Sequence, residues 1–150
     1  MAAVLERVCE ENLGGVKLKK EQERAVLALL EKKDVFAVLP TGFGKSLIYQ
    51  SYSIAKSVID GASPAVIVVV PLRSIAEEQV RNNEFDLKAV QLSLDEEKLR
   101  AVASGEVHVL YASAEVVLDD LFIGLLKQDN PFRKNLSLIV VDESHTVYTW

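Results

Sequence analysis

Residues Leu39 to Gln50 read LPTGFGKSLIYQ. The apolar run Val35 to Leu39 leads into this stretch and helical spacing follows it, so a strand, a glycine-rich turn and a helix are expected in that order. In that setting the backbone N–H groups near Gly42 and Gly44, with the dipole of the following helix, face a triphosphate. Lys45 is then placed to reach the β- and γ-phosphates, and the Ser46 hydroxyl to take a position on Mg2+. The general pattern G-x-x-x-x-G-K-[ST] asks for glycine where Leu39 stands, which leaves a glycine-rich turn with a surface lysine as the competing reading.

Further apolar, β-branched runs occupy Ala65 to Val70 and Leu138 to Val141. They are continuous rather than alternating, as in strands buried on both faces of a parallel sheet. Ala89 to Leu92 and Val107 to Tyr111 are weaker strand candidates. Ala25, Val26, Leu29 and Leu30 form one stripe of a helix over 19–33, and Leu72, Ile75, Ala76 and Val80 form another after the second strand. Ser93 and Glu96 read as a capping box, and Gly105 as the stop, of a helix across Asp95 to Ser104. Turn signals stand at Gly61 to Pro64 and at Asn130 to Pro131. The alternation predicts an α/β domain, its mostly parallel sheet flanked by helices through right-handed crossovers.

The chain's 150 residues amount to about one domain. Hydrophobic residues make up 49% and charged residues 26%, which excludes disorder and low complexity. With 17 Lys and Arg against 22 Asp and Glu, the net charge of −5 excludes a whole-surface basic footprint for nucleic acid and leaves room only for local patches. Cys9 is the single cysteine, so no intramolecular disulfide forms, and no Cys/His cluster has zinc spacing. A reduced, intracellular compartment is expected. The run Ala65 to Val70 falls far short of the ~20 apolar residues that cross a bilayer. Glu6, Glu10 and Glu11 stand where a signal peptide would carry its apolar core, so no membrane partner is expected.

A second chemical segment is Leu138 to His145, LIVVDESH, in which four apolar residues end in adjacent carboxylates. At the end of a buried strand, Asp142 could hold Mg2+ through its water shell, and Glu143 could orient and deprotonate an attacking water. Carboxylates in that position also cap helices, which is the plainer reading of the pair taken alone.

Together the two segments resemble the superfamily 2, DEAD/DEAH-type helicases, and among them the RecQ family of DNA helicases. That family writes its first motif PTG-G-GKS-L-x-Y-Q, which Pro40, Thr41, Gly42, Gly44, Lys45, Ser46, Leu47, Tyr49 and Gln50 match, with Phe43 in place of a usual glycine. The resemblance makes Gln22, in KLKKEQERAV, the adenine-reading glutamine. It makes VVVPLRSIAEEQV, with Pro71, Leu72, Gln79 and Val80 in register, a contact to the backbone of single-stranded DNA. Arg73 and Ser74 are the natural phosphate donors there. HVLYASAE resembles a further DNA-side motif through Ser113 and Glu115, with Ala114 for the usual proline. In the last motif Ser144 replaces alanine, His145 takes the position that couples nucleotide state to DNA binding, and Trp150 matches an aromatic of the following loop, with Thr149 for the usual glutamine before it.

The resemblance implies a RecA-like P-loop domain over 18–150, behind a helical lead-in at 1–17 and truncated after the Asp-Glu-Ser-His motif. It implies the ATP- and nucleic-acid-binding half of an ATP-dependent 3′-to-5′ DNA helicase, nuclear in a eukaryote, with ATP and Mg2+ as cofactors and single-stranded or partly duplex DNA as partner. A second RecA-like domain, which would supply an arginine finger, lies outside this chain, as does the strand that normally inserts between the phosphate-loop strand and the Asp-Glu strand. Bare apolar edges on those two strands, a marginal fold and little turnover by this chain alone are therefore expected. An RNA-acting superfamily 2 ATPase and a nucleotide-binding remnant without hydrolysis stay open as alternatives.

Overall fold

The computed structural model describes residues 1–40, 43–71, 80, 85 and 87–142. The chain forms two compact units, Met1–Ala62 and Ser63–Trp150.

Among the described residues the first unit holds three helices, α1 (Ala2–Asn12), α2 (Lys20–Leu30) and α3 (Lys45–Asp60), with α1 and α2 each packed on α3. Helix α1 buries Leu5, Val8 and Cys9, which share one face at helical spacing, and α2 buries Ala25 and Val26 of the expected stripe together with Gln22. Helix α3 is buried around most of its circumference from Ile48 to Ser53. The α2 helix ends in a Schellman motif, with the Lys32 N–H donating to the Leu29 carbonyl and the Lys33 N–H to the Ala28 carbonyl. Lys32, at φ +63, sits in the left-handed position that glycine usually fills.

The strand expected at Val35 to Leu39 does not form. This segment is coil, and Phe36 and Val38 are about four-fifths exposed, at 80% and 81%. A parallel strand takes all its hydrogen bonds from neighbours, and among the described residues no strand pairs with this one. Its apolar run marks a segment suited to burial without providing the partner that would bury it.

Among the described residues the second unit holds a sheet of four strands, β1 (Ala65–Val70), β2 (Ala89–Gln91), β3 (Val109–Ser113) and β4 (Leu136–Val141), in the order β2-β3-β1-β4 and parallel throughout. The helices α4 (Glu96–Ala103), α5 (Ala114–Val117), α6 (Asp120–Lys127) and α7 (Pro131–Asn135) connect β2 to β3 and β3 to β4. β1 lies between two partners and is buried at all six positions, as a continuous run of Ala, Val and Ile should be. On one face Ala65, Ile67, Val69, Leu110 and Ala112 pack with Val102 of α4, Phe122 and Leu125 of α6, and Phe132 of α7. A bulge between Ala65 and Val66 offsets β4, where the Ser137 hydroxyl donates to the Ala65 carbonyl. β4 carries two exposed apolar side chains, Ile139 and Val141, while Val35 to Leu39 is bare as coil and not as the strand edge that was expected.

Two local readings change. The cap of α4 is Asp95, whose carboxylate accepts from the Glu97 N–H at 2.8 Å, and not Ser93, because Asp95 is the residue in extended conformation immediately before the helix. Asn130 and Pro131 open a helix rather than a loop: Asn130 caps α7 and proline takes its first turn, where a missing N–H costs nothing. Gly105 does stop α4, at φ +84 and so close to α7 that a Cβ would stand 2.6 Å from Pro131 Cβ. The helix read through Leu72, Ile75, Ala76 and Val80 lies, apart from Val80, outside the described residues.

Candidate functional site

The decisive stretch behaves locally as its residues require. Gly44 caps α3 at φ +88, a conformation open to glycine and strained for other residues, and the Leu47 N–H donates to its carbonyl at 3.1 Å. Phe43 closes a turn by donating its N–H to the Pro40 carbonyl at 3.1 Å. Lys45 and Ser46 open the helix, both half-buried. Thr41 and Gly42 lie outside the described residues.

The start of α3 differs from those of α4 to α7, and like that of α1 it has neither a capping side chain nor a first-turn acid. Side chains of Asp95, Ser113, Asp119 and Asn130 accept first-turn N–H groups of α4, α5, α6 and α7. Helix α3 has a cap without a side chain and no acidic residue in its first turn. Its partial positive charge and first-turn amides are therefore uncontested by any carboxylate of that turn, which suits an anion.

Gln22 is 2% exposed and braces this loop from α2. Its Oε1 accepts from the Lys19 N–H at 2.9 Å, while its Nε2 donates to the carbonyls of Phe43 at 3.1 Å and Gly44 at 3.0 Å. A Cβ on Gly44 would stand 2.7 Å from that nitrogen, so glycine is required by close approach as well as by φ. An adenine read by Gln22 would compete for the amide that holds the loop. Lys19 was not singled out from sequence, yet its ammonium donates to the Phe43 carbonyl at 3.4 Å and lies 4.2 Å from the centroid of the Phe43 ring. Its only sequence signal is its place three residues before Gln22, whose side chain accepts its N–H at the start of α2.

In the second unit the parallel register gathers other expected residues at one edge of the sheet. Val70 pairs with Ser113 and Val69 with Val141, so Pro71, Ser113 and Asp142 all stand at the carboxyl ends of adjacent strands, where open α/β sheets bind ligands. The Asp142 N–H donates to the Val69 carbonyl at 2.9 Å, which fixes where its carboxylate begins. Ser113 is occupied as the cap of α5, accepting from the Val116 N–H at 3.4 Å, and Glu115 is exposed in that helix's first turn. Arg73, Ser74, Glu143, His145 and Trp150 lie outside the described residues.

Ser46 and Asp142 are hard oxygen donors of the kind Mg2+ prefers, and that ion is typically held by one or two carboxylates plus substrate phosphates. Among the described residues no group of three or more His, Cys, Asp or Glu side chains gathers as a protein-only metal cage. The Cys9 thiol is pushed above its ordinary value by burial, then by Glu23 and Glu6, which leaves it protonated and a poor nucleophile at neutral pH. No described helix is long and apolar enough to cross a membrane.

Comparison with known proteins covers most of the chain. Residues 19–150 match the model of the DEAD/DEAH box helicase family. The chain is 33% identical over 135 residues to the ATP-dependent DNA helicase Q-like 5 of Arabidopsis thaliana, covering 86% of this chain and 14% of that protein. It is 31% identical over 153 residues to the probable ATP-dependent DNA helicase RecS of Bacillus subtilis (97% and 28%), and 29% identical over 139 residues to the ATP-dependent DNA helicase RecQ of Haemophilus influenzae (88% and 21%). The chain thus spans well under a third of the length of these curated relatives.

Proposed function

The chain belongs to the DEAD/DEAH box helicase family, and from that we propose that it is the ATP- and nucleic-acid-binding part of a RecQ-type DNA helicase. The observation that carries this reading is the start of α3, where Gly44, Lys45 and Ser46 open a helix with no carboxylate in its first turn and Gln22 braces the carbonyls of the preceding loop.

In this reading the first-turn N–H groups and the Lys45 ammonium hold the β- and γ-phosphates of ATP, with Thr41, Gly42, Phe43 and Gly44 shaping the loop around them. Ser46 and Asp142 hold Mg2+, which when bound neutralises charge developing on the phosphate oxygens. Glu143 takes a proton from water as its oxygen bonds to the γ-phosphorus and the bond to the β-γ bridging oxygen breaks, giving ADP and phosphate. Gln22 reads the adenine at the expense of its hold on the loop. Pro71, Arg73, Ser74, Ser113, Glu115 and Trp150 meet the DNA, and His145 couples the two sites. The enzyme moves 3′ to 5′ along the strand, a second RecA-like domain completes the ATP cleft, and in a eukaryote the protein works in the nucleus. The relatives' names, DNA helicases in each case, favour DNA over RNA.

The test is calorimetric titration of the chain with Mg-ATP, alongside Lys45→Ala, and then hydrolysis with and without single-stranded DNA in a version extended past Trp150, alongside Glu143→Gln. Lys45-dependent binding and DNA-stimulated, Glu143-dependent turnover are expected. Binding without Glu143-dependent turnover would leave a nucleotide-binding protein and end the helicase reading.

A further inference from the structure

We propose that Lys19 is a positioning residue for the phosphate loop, holding Phe43 by its carbonyl and by its ring at once. The inference rests on the nucleotide reading above. Lys19 is well anchored to do this: its N–H donates to Gln22 Oε1 at 2.9 Å, and its carbonyl accepts the Glu23 N–H at 2.9 Å as α2 begins. From there the side chain crosses to the loop, where the ammonium is 3.4 Å from the Phe43 carbonyl oxygen and 4.2 Å from the ring centroid. Both contacts favour a cation, the first by charge-assisted hydrogen bonding and the second through the negative face of the ring.

The consequence follows from the planarity of the peptide group. In a trans peptide the carbonyl and the next N–H point in opposite directions. Lys19 and Gln22 both take the Phe43 carbonyl, which turns the Gly44 N–H away from α2. Gln22 takes the Gly44 carbonyl as well, and this does the same for the Lys45 N–H. Two carbonyls that would repel a phosphate are thereby held on one side, and two donors are presented on the other. Phe43 is the residue that allows Lys19 a share in this, because glycine at that position would offer the carbonyl and no ring.

The experiment is a double-mutant cycle on the full chain. Lys19→Met and Phe43→Leu should each weaken Mg-ATP binding about two- to fivefold, the range expected of an exposed cation–ring contact. The double variant should be no weaker than the worse single one, and Lys19→Arg should restore binding. A second readout needs no nucleotide: the ring should shift the Lys19 ε-methylene proton resonances upfield in the free chain, and Phe43→Leu should abolish that shift. Additive losses, or a Phe43→Leu variant that binds as the parent does, would overturn the proposal and place the Lys19 charge directly on the phosphates. Absence of the upfield shift would overturn it too. A normal shift in a chain that does not bind Mg-ATP would instead refute the nucleotide reading and reduce the pair to a structural contact.

Discussion

Replacing Gly44 by alanine tests the tightest point of the loop. Two costs arise from the geometry. At φ +88 a Cβ is strained, by about 1–2 kcal/mol for a left-handed residue that is not glycine. The same Cβ would stand 2.7 Å from Gln22 Nε2, so the buried amide must move and give up its bonds to the Phe43 and Gly44 carbonyls. A buried amide left without partners costs about 1–3 kcal/mol. The sum, about 2–5 kcal/mol, is a large fraction of the roughly 5–15 kcal/mol that stabilises a domain. Urea unfolding followed by far-ultraviolet circular dichroism would read the loss, and hydrogen exchange at the Leu47 amide, bonded to the Gly44 carbonyl, would read it locally. Gln22→Ala separates the two costs, since with the amide gone Gly44→Ala should cost only the conformational part, and the coupling between the sites should be about 1–3 kcal/mol. A Gly44→Ala chain within about 0.5 kcal/mol of the parent, or an equal cost in both backgrounds, would refute the reasoning.

Three further outcomes are expected. Phe132→Ala empties a position that is 0% exposed beneath α7 and should lower stability by about 3–5 kcal/mol in denaturant titrations. Lys32→Gly removes a left-handed lysine at φ +63 from the Schellman motif that ends α2 and should raise stability by about 1 kcal/mol, visible as a higher urea midpoint with unchanged slope. Burial, Glu23 and Glu6 hold the Cys9 thiol above the value it has in the unfolded chain, so its contribution is fully present below a pH of about 8.5 and is lost as pH rises through the raised folded value. Unfolding measured from pH 7 to pH 10 should show that decline, and Cys9→Ala should flatten it.

Ala65 to Val70 was legible residue for residue because a strand buried on both faces needs an unbroken apolar run, and the turn signal at Gly61 to Pro64 marked where it begins. Val35 to Leu39 shows the same pattern and is not a strand, because apolar continuity describes one chain segment while strand formation is a property of two. Helix α6, DLFIGLLK, went unread because eight residues are too few for the apolar period to stand out, although Asp120, Gly124 and Lys127 share one face at helical spacing and Phe122 and Leu125 are buried on the other. At the site, the place of Gly44, Lys45 and Ser46 at the start of α3 was legible because a helix start is set by neighbours in sequence. The hold of Gln22 and Lys19 on Phe43 spans more than twenty residues and depends on how α2 and α3 pack, which no local pattern encodes.

The pairing of β1 sets a timetable for the chain as it is made. Val66 must wait for Val109 on one side and Leu138 on the other before its backbone groups are matched. At roughly 5–20 residues per second of synthesis, the second of these partners emerges several seconds after β1 itself. For that interval AVIVVV is an unpaired, uncharged, β-branched segment with the makings of a self-associating strand. The order of the strands that gives the finished sheet its buried centre also makes that centre the nascent chain's most exposed hazard, and a chaperone that shields short apolar strands would be needed most before β4 appears.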